Sequence, residues 1–126
     1  MKKLLTLLAA VFCAVSVNAG EFPDISITEL QSAIKEKKVT VLDVNGSDSF
    51  KAGHIPGAID FQSAKAEIAS KLPSDKSALV VAYCGGPTCN AYQAAAKVAK
   101  ELGYTNVKHL SAGISGWKDA KAPLEK

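Results

Sequence analysis

Arginine is absent from this 126-residue sequence, and all fifteen of its basic residues are lysines. That removes the side chain best shaped for bidentate capture of phosphate or carboxylate, so any anion site must use backbone N–H groups or lysine. Cysteine is scarce as well: three residues are too few for a fold held together by disulfides, and the core must do that work. Only one apolar run is long, Leu4 to Val15, and at about 12 residues it falls short of the roughly 20 that span a bilayer.

The same run has a different meaning at the start of the chain. Met1-Lys2-Lys3 forms a positive segment, Leu4 to Val15 an apolar one, and Val17-Asn18-Ala19 supplies the small residues a signal peptidase reads. Residues 1–19 are therefore expected to be a cleaved signal peptide, with residues 20–126 forming one domain of ordinary size. Cys13 follows the bulky Phe12, which does not fit a lipoprotein anchor, and is expected to leave with the peptide. Losing Lys2 and Lys3 takes the formal charge from +3 to +1, so neither nucleic acid nor a membrane surface is an expected partner. The expectation is a periplasmic monomer exported by a Sec-type signal.

Along the rest of the chain, strand and helix patterns alternate. Thr28 and Gln31 make a capping-box pattern for a helix to about Lys37, after a short extended stretch from Ile25. Val39 to Val44 is apolar on both faces, as a buried parallel strand tends to be, and it stops at the Asn45-Gly46 turn. A brief strand is expected over Ala58 to Phe61 and a helix over Ser63 to Leu72, with Ile68 and Leu72 inward and Pro73 as the stop. The clearest strand, Ala78 to Tyr83, delivers Cys84 at its carboxyl end. A helix then runs from about Asn90 to Leu102, closed by Gly103, and a strand over Asn106 to Leu110 leads to a last helix carrying Trp117. This alternation implies an α/β fold, a mostly parallel sheet with helices on both faces, in which ligands bind at the carboxyl ends of the strands.

That edge brings Cys84 forward. Gly85-Gly86 permits a backbone path that points successive N–H groups inward, and the following helix adds the positive end of its dipole. An anion at the loop centre is stabilised by both, and the anion is the sulfur of Cys84 itself. An unperturbed thiol is only about 3% thiolate at pH 7, whereas cysteines at helix N-termini titrate at roughly 3.5 to 7.5. An inert buried cysteine would need no such loop.

The residues carry a family resemblance. Asp43-Val44, the segment Phe50-Lys51-Ala52-Gly53-His54-Ile55-Pro56-Gly57-Ala58, Tyr83-Cys84-Gly85-Gly86, Leu102 to Val107, Leu110-Ser111-Ala112-Gly113 and Trp117 occur in order from Ile25 to Ala120. In this the chain resembles the rhodanese-like sulfurtransferases. The resemblance implies a persulfide on Cys84, loaded from thiosulfate, polysulfide or another persulfide and passed to a thiol, cyanide or a protein acceptor. It also implies that the N–H groups of Gly85, Gly86, Thr88, Cys89 and Asn90 hold the outer sulfur, Pro87 having none to give. No cofactor or metal is implied.

Departures from the family pattern narrow the expectation. Asn45 and Ser49 stand where members commonly have Arg and Glu, so both halves of an ion pair are missing together. The loop Gly85-Gly86-Pro87-Thr88 lacks the usual cation, which weakens the case for thiosulfate and favours polysulfide or protein persulfide donors. A phosphatase or arsenate reductase loop would need Arg at the place of Asn90.

Cys89 leaves two readings open: a resolving thiol that attacks the Cys84 persulfide or bridges to Cys84, or a small residue in place of a loop Ser, Thr or Arg. Asp43 is expected to accept hydrogen bonds from the cysteine loop. His54 is expected to cap or pack in a turn and His109 to lie on a strand face, and Cys-x4-Cys is not a usual zinc spacing. Two other functions stay in view: a non-catalytic persulfide carrier or partner-binding module, and a dithiol redox protein using Cys84 and Cys89.

Overall fold

The computed structural model describes residues 22–126, so the expected signal peptide and Cys13 lie outside the described residues. Four strands, β1 (Val39–Asp43), β2 (Ile59–Asp60), β3 (Leu79–Tyr83) and β4 (Val107–His109), form one sheet in the order β2-β1-β3-β4. Every pairing is parallel, with Asp43 beside Tyr83 and Ala82 beside His109. Around it run α1 (Ile27–Lys35), α2 (Ser47–Ala52), α3 (Phe61–Ala64), α4 (Ile68–Lys71), α5 (Tyr92–Glu101) and α6 (Gly113–Asp119).

The alternation of side chains along a strand divides the core in two. Val80, Ala82 and Cys84 face the layer that holds Phe61, Ile68, Leu72 and the alanines of α5. Val81 and Tyr83 face Leu30, Leu110 and Trp117 on the other side. Burial on both faces is why β3 reads as a continuous apolar run: Val80 to Tyr83 are fully buried. The α/β expectation is met, with helices on both faces.

Local differences have local causes. The first helix is capped by Ser26, whose side chain accepts from the Glu29 N–H while Glu29 Oε1 accepts from the Ser26 N–H, so the box sits two residues before Thr28 and Gln31. The extended stretch lies earlier too. The His109 N–H donates to Pro23 O and the Ile25 N–H to His109 O, laying Pro23 to Ile25 along the outer side of β4. The expected helix from Ser63 to Leu72 begins instead at Phe61, where Asp60 caps it, and a 3₁₀ turn over Lys65–Glu67 separates α3 from α4. Ile68 and Leu72 are buried as expected.

One buried polar network ties the middle of the sheet together. Tyr83 Oη donates to Asp43 Oδ2 at 2.5 Å and accepts from the Ile55 N–H at 3.1 Å, while the Asn45 N–H donates to Asp43 Oδ1 at 2.8 Å. Burial pushes the Asp43 carboxyl up and the hydrogen bonds from Tyr83 and Asn45 oppose that; burial and the neighbouring carboxylate keep Tyr83 protonated. Tyr83→Phe removes only the hydroxyl, yet strands a carboxylate oxygen and an N–H inside the fold. We expect it to lower the unfolding free energy by about 1–3 kcal/mol. In urea denaturation that appears as an earlier midpoint at unchanged slope; an unmoved midpoint would remove the network from the account of stability.

Candidate active site

β3 is an inner strand, flanked by β1 and β4, and Cys84 is the first residue past its end. Its side chain, 2% exposed, continues the row of Val80 and Ala82. The loop that follows is held from outside by the start of α6. The Ile114 N–H donates to Cys84 O and the Ser115 N–H to Gly85 O, each at 3.0 Å. In a trans peptide the carbonyl and the next N–H point opposite ways. Tying the carbonyls of Cys84 and Gly85 to α6 therefore turns the N–H groups of Gly85 and Gly86 away from α6.

This clamp requires Gly113. Its φ is +64°, and a Cβ built there would lie 2.5 Å from Gly85 C and 2.6 Å from Gly86 N. No side chain fits between α6 and the loop. The residue appears in the Leu-Ser-Ala-Gly stretch of the sequence, but its part in seating the loop needs the partner backbone to be seen.

Within the loop, the Cys89 N–H donates to Gly86 O at 3.1 Å, closing a tight turn. That N–H, expected among the sulfur-facing amides, is thus taken by the loop itself. The N–H groups of Gly85, Gly86, Thr88 and Asn90 donate to no acceptor among the described residues. The helix begins two residues later than expected, at Tyr92, with Gln93 N–H donating to Asn90 O. The turn at Cys89 keeps Asn90 outside the helix.

Cys84 and Cys89 are joined by a disulfide, their Cα atoms 6.3 Å apart. That separation is within the ordinary range for a bridge, so the curl of the loop brings the two sulfurs together. The two ends differ in access: Cys84 is buried, whereas Cys89 is half-buried beside the exposed Pro87 and Thr88.

Asp43 is buried, 1% exposed, but its hydrogen bonds go to Tyr83 and Asn45 and not to the cysteine loop. Its reach to the loop is indirect, through Tyr83, the residue before Cys84. Asn45 and Ser49 line a cavity of about 150 Å³ together with Gly53, Ile114 and Lys118. This cavity adjoins the loop, since the Ile114 N–H is bound to Cys84 O and Asn45 Oδ1 is 3.9 Å from where a Gly85 Cβ would be. Lys118, for which the sequence carries no such signal, is the cation at this mouth.

The histidines lie apart from the sulfurs' chemistry. His54 stacks on Phe50 with centroids 3.6 Å apart, its Nδ1 2.8 Å from Phe50 O, and its backbone pairs with Glu125. His109 lies on β4 and stacks on Tyr92 at 3.4 Å, with Nε2 buried and without a hydrogen-bond partner among the described residues. Both agree with expectation. No group of three or more metal-ligating side chains is gathered among the described residues.

A parallel α/β domain that presents a cysteine loop at the end of an inner strand, clamped by the start of the last helix, defines the class. The sequence pattern of the Rhodanese-like domain matches residues 26–120, and the chain belongs to that family. It is similar to the thiosulfate sulfurtransferase GlpE of Shewanella oneidensis, 30% identical over 104 residues that cover 82% of this chain and 99% of that protein. It is also similar to the HTH-type transcriptional regulator Rv0324 of Mycobacterium tuberculosis, 35% identical over 106 residues; those are 82% of this chain but 46% of that protein, so the chain spans less than half of it. Among solved structures, the BH2092 protein from Bacillus halodurans superposes with a TM-score of 0.64 at 28% identity, covering 82% of this chain and 76% of that one. A thiosulfate sulfurtransferase from Pseudomonas aeruginosa shares the fold, with a TM-score of 0.68 at 22% identity over 82% of this chain and 20% of that one. At the level of the family, the chain is a rhodanese-type sulfurtransferase domain.

Two measurements follow. Gly113→Ala places a methyl group against the Gly85 backbone at a positive φ, and we expect a loss of about 2 kcal/mol or more; equal urea midpoints for parent and variant would show that the clamp tolerates a side chain. Burial holds the His109 imidazole below its ordinary 6.5, with Asp24 pulling it upward. The folded chain then binds that proton more weakly than the unfolded one, so this contribution to stability is complete above 6.5 and is lost as pH falls below it. Asp43 acts with the opposite sign in the window above 3.8, because burial raises it. His109→Phe keeps the stack on Tyr92 and should lose less stability than the parent between about pH 7 and pH 5; parallel pH curves would contradict the assignment.

Proposed function

We propose that this chain is a sulfurtransferase that carries sulfane sulfur as a persulfide on Cys84. The observation that carries the proposal is the strand-end loop in which Cys84 is followed by four N–H groups, of Gly85, Gly86, Thr88 and Asn90, with no acceptor among the described residues. Unpaired amides around a buried sulfur favour its anionic form and then the anionic outer sulfur of a persulfide. The Cys84 thiolate attacks the sulfane sulfur of the donor, the donor's remaining fragment leaves with the bonding pair, and an acceptor nucleophile takes the outer sulfur and returns the thiolate.

The donor is an anion: thiosulfate, polysulfide or a persulfide. With no cation in the loop, Lys118 at the adjoining cavity is the residue placed to attract it. Asn45 and Ser49, also at that cavity, stand where the family commonly has a charged pair, and the loop Gly85-Gly86-Pro87-Thr88 has no cation of its own, which favours polysulfide or a protein-bound persulfide over thiosulfate. The acceptor is a thiol, cyanide or a protein, and the protein acts as a monomer without a cofactor. The pattern over residues 1–19 supports action in the periplasm. The Cys84–Cys89 disulfide favours a second reading, a dithiol redox protein that carries electrons and no sulfur.

Intact-protein mass spectrometry separates the two. After reduction and removal of the reductant, incubation with thiosulfate or polysulfide should add one sulfur to the Cys89→Ser variant. The sulfur should leave as thiocyanate on adding cyanide and be absent in Cys84→Ser. If no sulfur can be loaded on Cys84 in any variant, the sulfurtransferase reading fails.

A further inference from the structure

We propose that Cys89 discharges the Cys84 persulfide, so that this domain reduces sulfane sulfur to hydrosulfide and depends on a dithiol protein to restore it. The inference rests on the sulfurtransferase reading and adds the fate of the sulfur and the source of electrons. Its basis is the bond between Cys84 and Cys89, and the unequal access of its two ends.

The bond places Cys89 Sγ within reach of Cys84 Sγ, five positions along the sequence from it. When Cys84 carries an outer sulfur, the Cys89 thiolate is therefore a nucleophile that never has to diffuse to the site. Reacting groups held this way behave as if present at very high concentration, and effective molarities reach roughly 10⁵ M or more in well-oriented cases. An external acceptor at cellular concentration has to compete with that. Cys89 attacks Cys84 Sγ: a bond forms between the two cysteine sulfurs, the bond from Cys84 Sγ to the outer sulfur breaks, and the outer sulfur leaves with the electron pair. Cys84–S–S⁻ and a Cys89 thiol become the disulfide and HS⁻. The sulfane sulfur is reduced, the two cysteines are oxidised, and the one proton stays with the hydrosulfide.

The product of that step is the disulfide of this structure, in which Cys84 has no free sulfur to load. Each further turnover needs two electrons from outside. Their entry point follows from burial. Cys84 is 2% exposed, while Cys89 is half-buried on a loop whose Pro87 and Thr88 are exposed. An incoming thiolate reaches Cys89 and expels Cys84 as the leaving thiolate, into the loop amides that favour its anion. A monothiol would stop at a mixed disulfide on Cys89, which Cys84 can displace again. A vicinal dithiol removes itself with its second thiol, releasing both cysteines reduced and leaving oxidised. The partner is thus a protein with a thioredoxin-type dithiol and an open face around it.

The test uses reduced protein freed of reductant, with glutathione persulfide as the probe. In the parent, one equivalent of probe should release close to one equivalent of hydrosulfide, with loss of two hydrogens and no retained sulfur. Cys89→Ser, and as a second variant Cys89→Ala, should retain one sulfur on Cys84 and release at least roughly tenfold less hydrosulfide. If the parent retains the sulfur as Cys89→Ser does and forms no disulfide, the discharge step is overturned while the sulfurtransferase reading survives. If neither Cys89 variant takes up sulfur, both fall. The entry point has its own readout: oxidised protein treated briefly with glutathione and then iodoacetamide should carry glutathione on Cys89 and the alkyl group on Cys84. The reverse distribution would overturn entry at Cys89.

Discussion

The contact between Gly113 and the Gly85-Gly86 backbone is the constraint on which the site depends. Two stretches of main chain meet there with no side chain between them, and the last helix takes the carbonyls of Cys84 and Gly85 as acceptors. Everything distinctive about the loop follows from that attachment. Its carbonyls are occupied on one side, its N–H groups are turned to the other, and the remaining residues curl until Cys89 meets Cys84. The clamp itself is tied to β3, since the Leu110 N–H donates to Ala82 O just before the chain turns into α6. A rigid sheet thus sets the position of a loop that has little packing of its own.

The fold was largely legible in the sequence because its strongest signals are local. Ala78 to Tyr83 reads as a buried strand from composition alone, and the strand-to-helix order fixes a parallel sheet once both faces must be covered. What escaped was set by partners far away in the chain. Ser26 rather than Thr28 caps the first helix, because pairing of Pro23 to Ile25 with β4 hands the chain over at that point. The helix after Cys84 starts at Tyr92 and not at Asn90, because the Gly86 to Cys89 turn holds the intervening residues out. The disulfide could not be decided from spacing, since two cysteines five apart meet or miss according to that turn. Asp43 was expected to accept from the cysteine loop, but its partner is a tyrosine forty residues on, and only the register of β1 against β3 puts the two side by side.

The lack of arginine has a structural counterpart at the mouth of the site. Asn45 and Ser49 border the cavity that a charged pair would otherwise share, and Lys118 supplies the positive charge from a different element. A single ammonium on a flexible stem attracts anions without imposing an orientation. In the sulfurtransferase reading proposed above, selectivity falls to the loop amides and to the shape of the opening.

The segment Pro23 to Ile25, bound along the outside of β4, has a consequence beyond the site. An open strand at the rim of a sheet offers its backbone to any passing extended chain, and this is a common route to aggregation. Here Pro23 to Ile25 fill that rim, and at the opposite rim β2 is only two residues long. Identical copies crowded together find little exposed ladder on which to polymerise, and trimming the chain past Pro23 would open one.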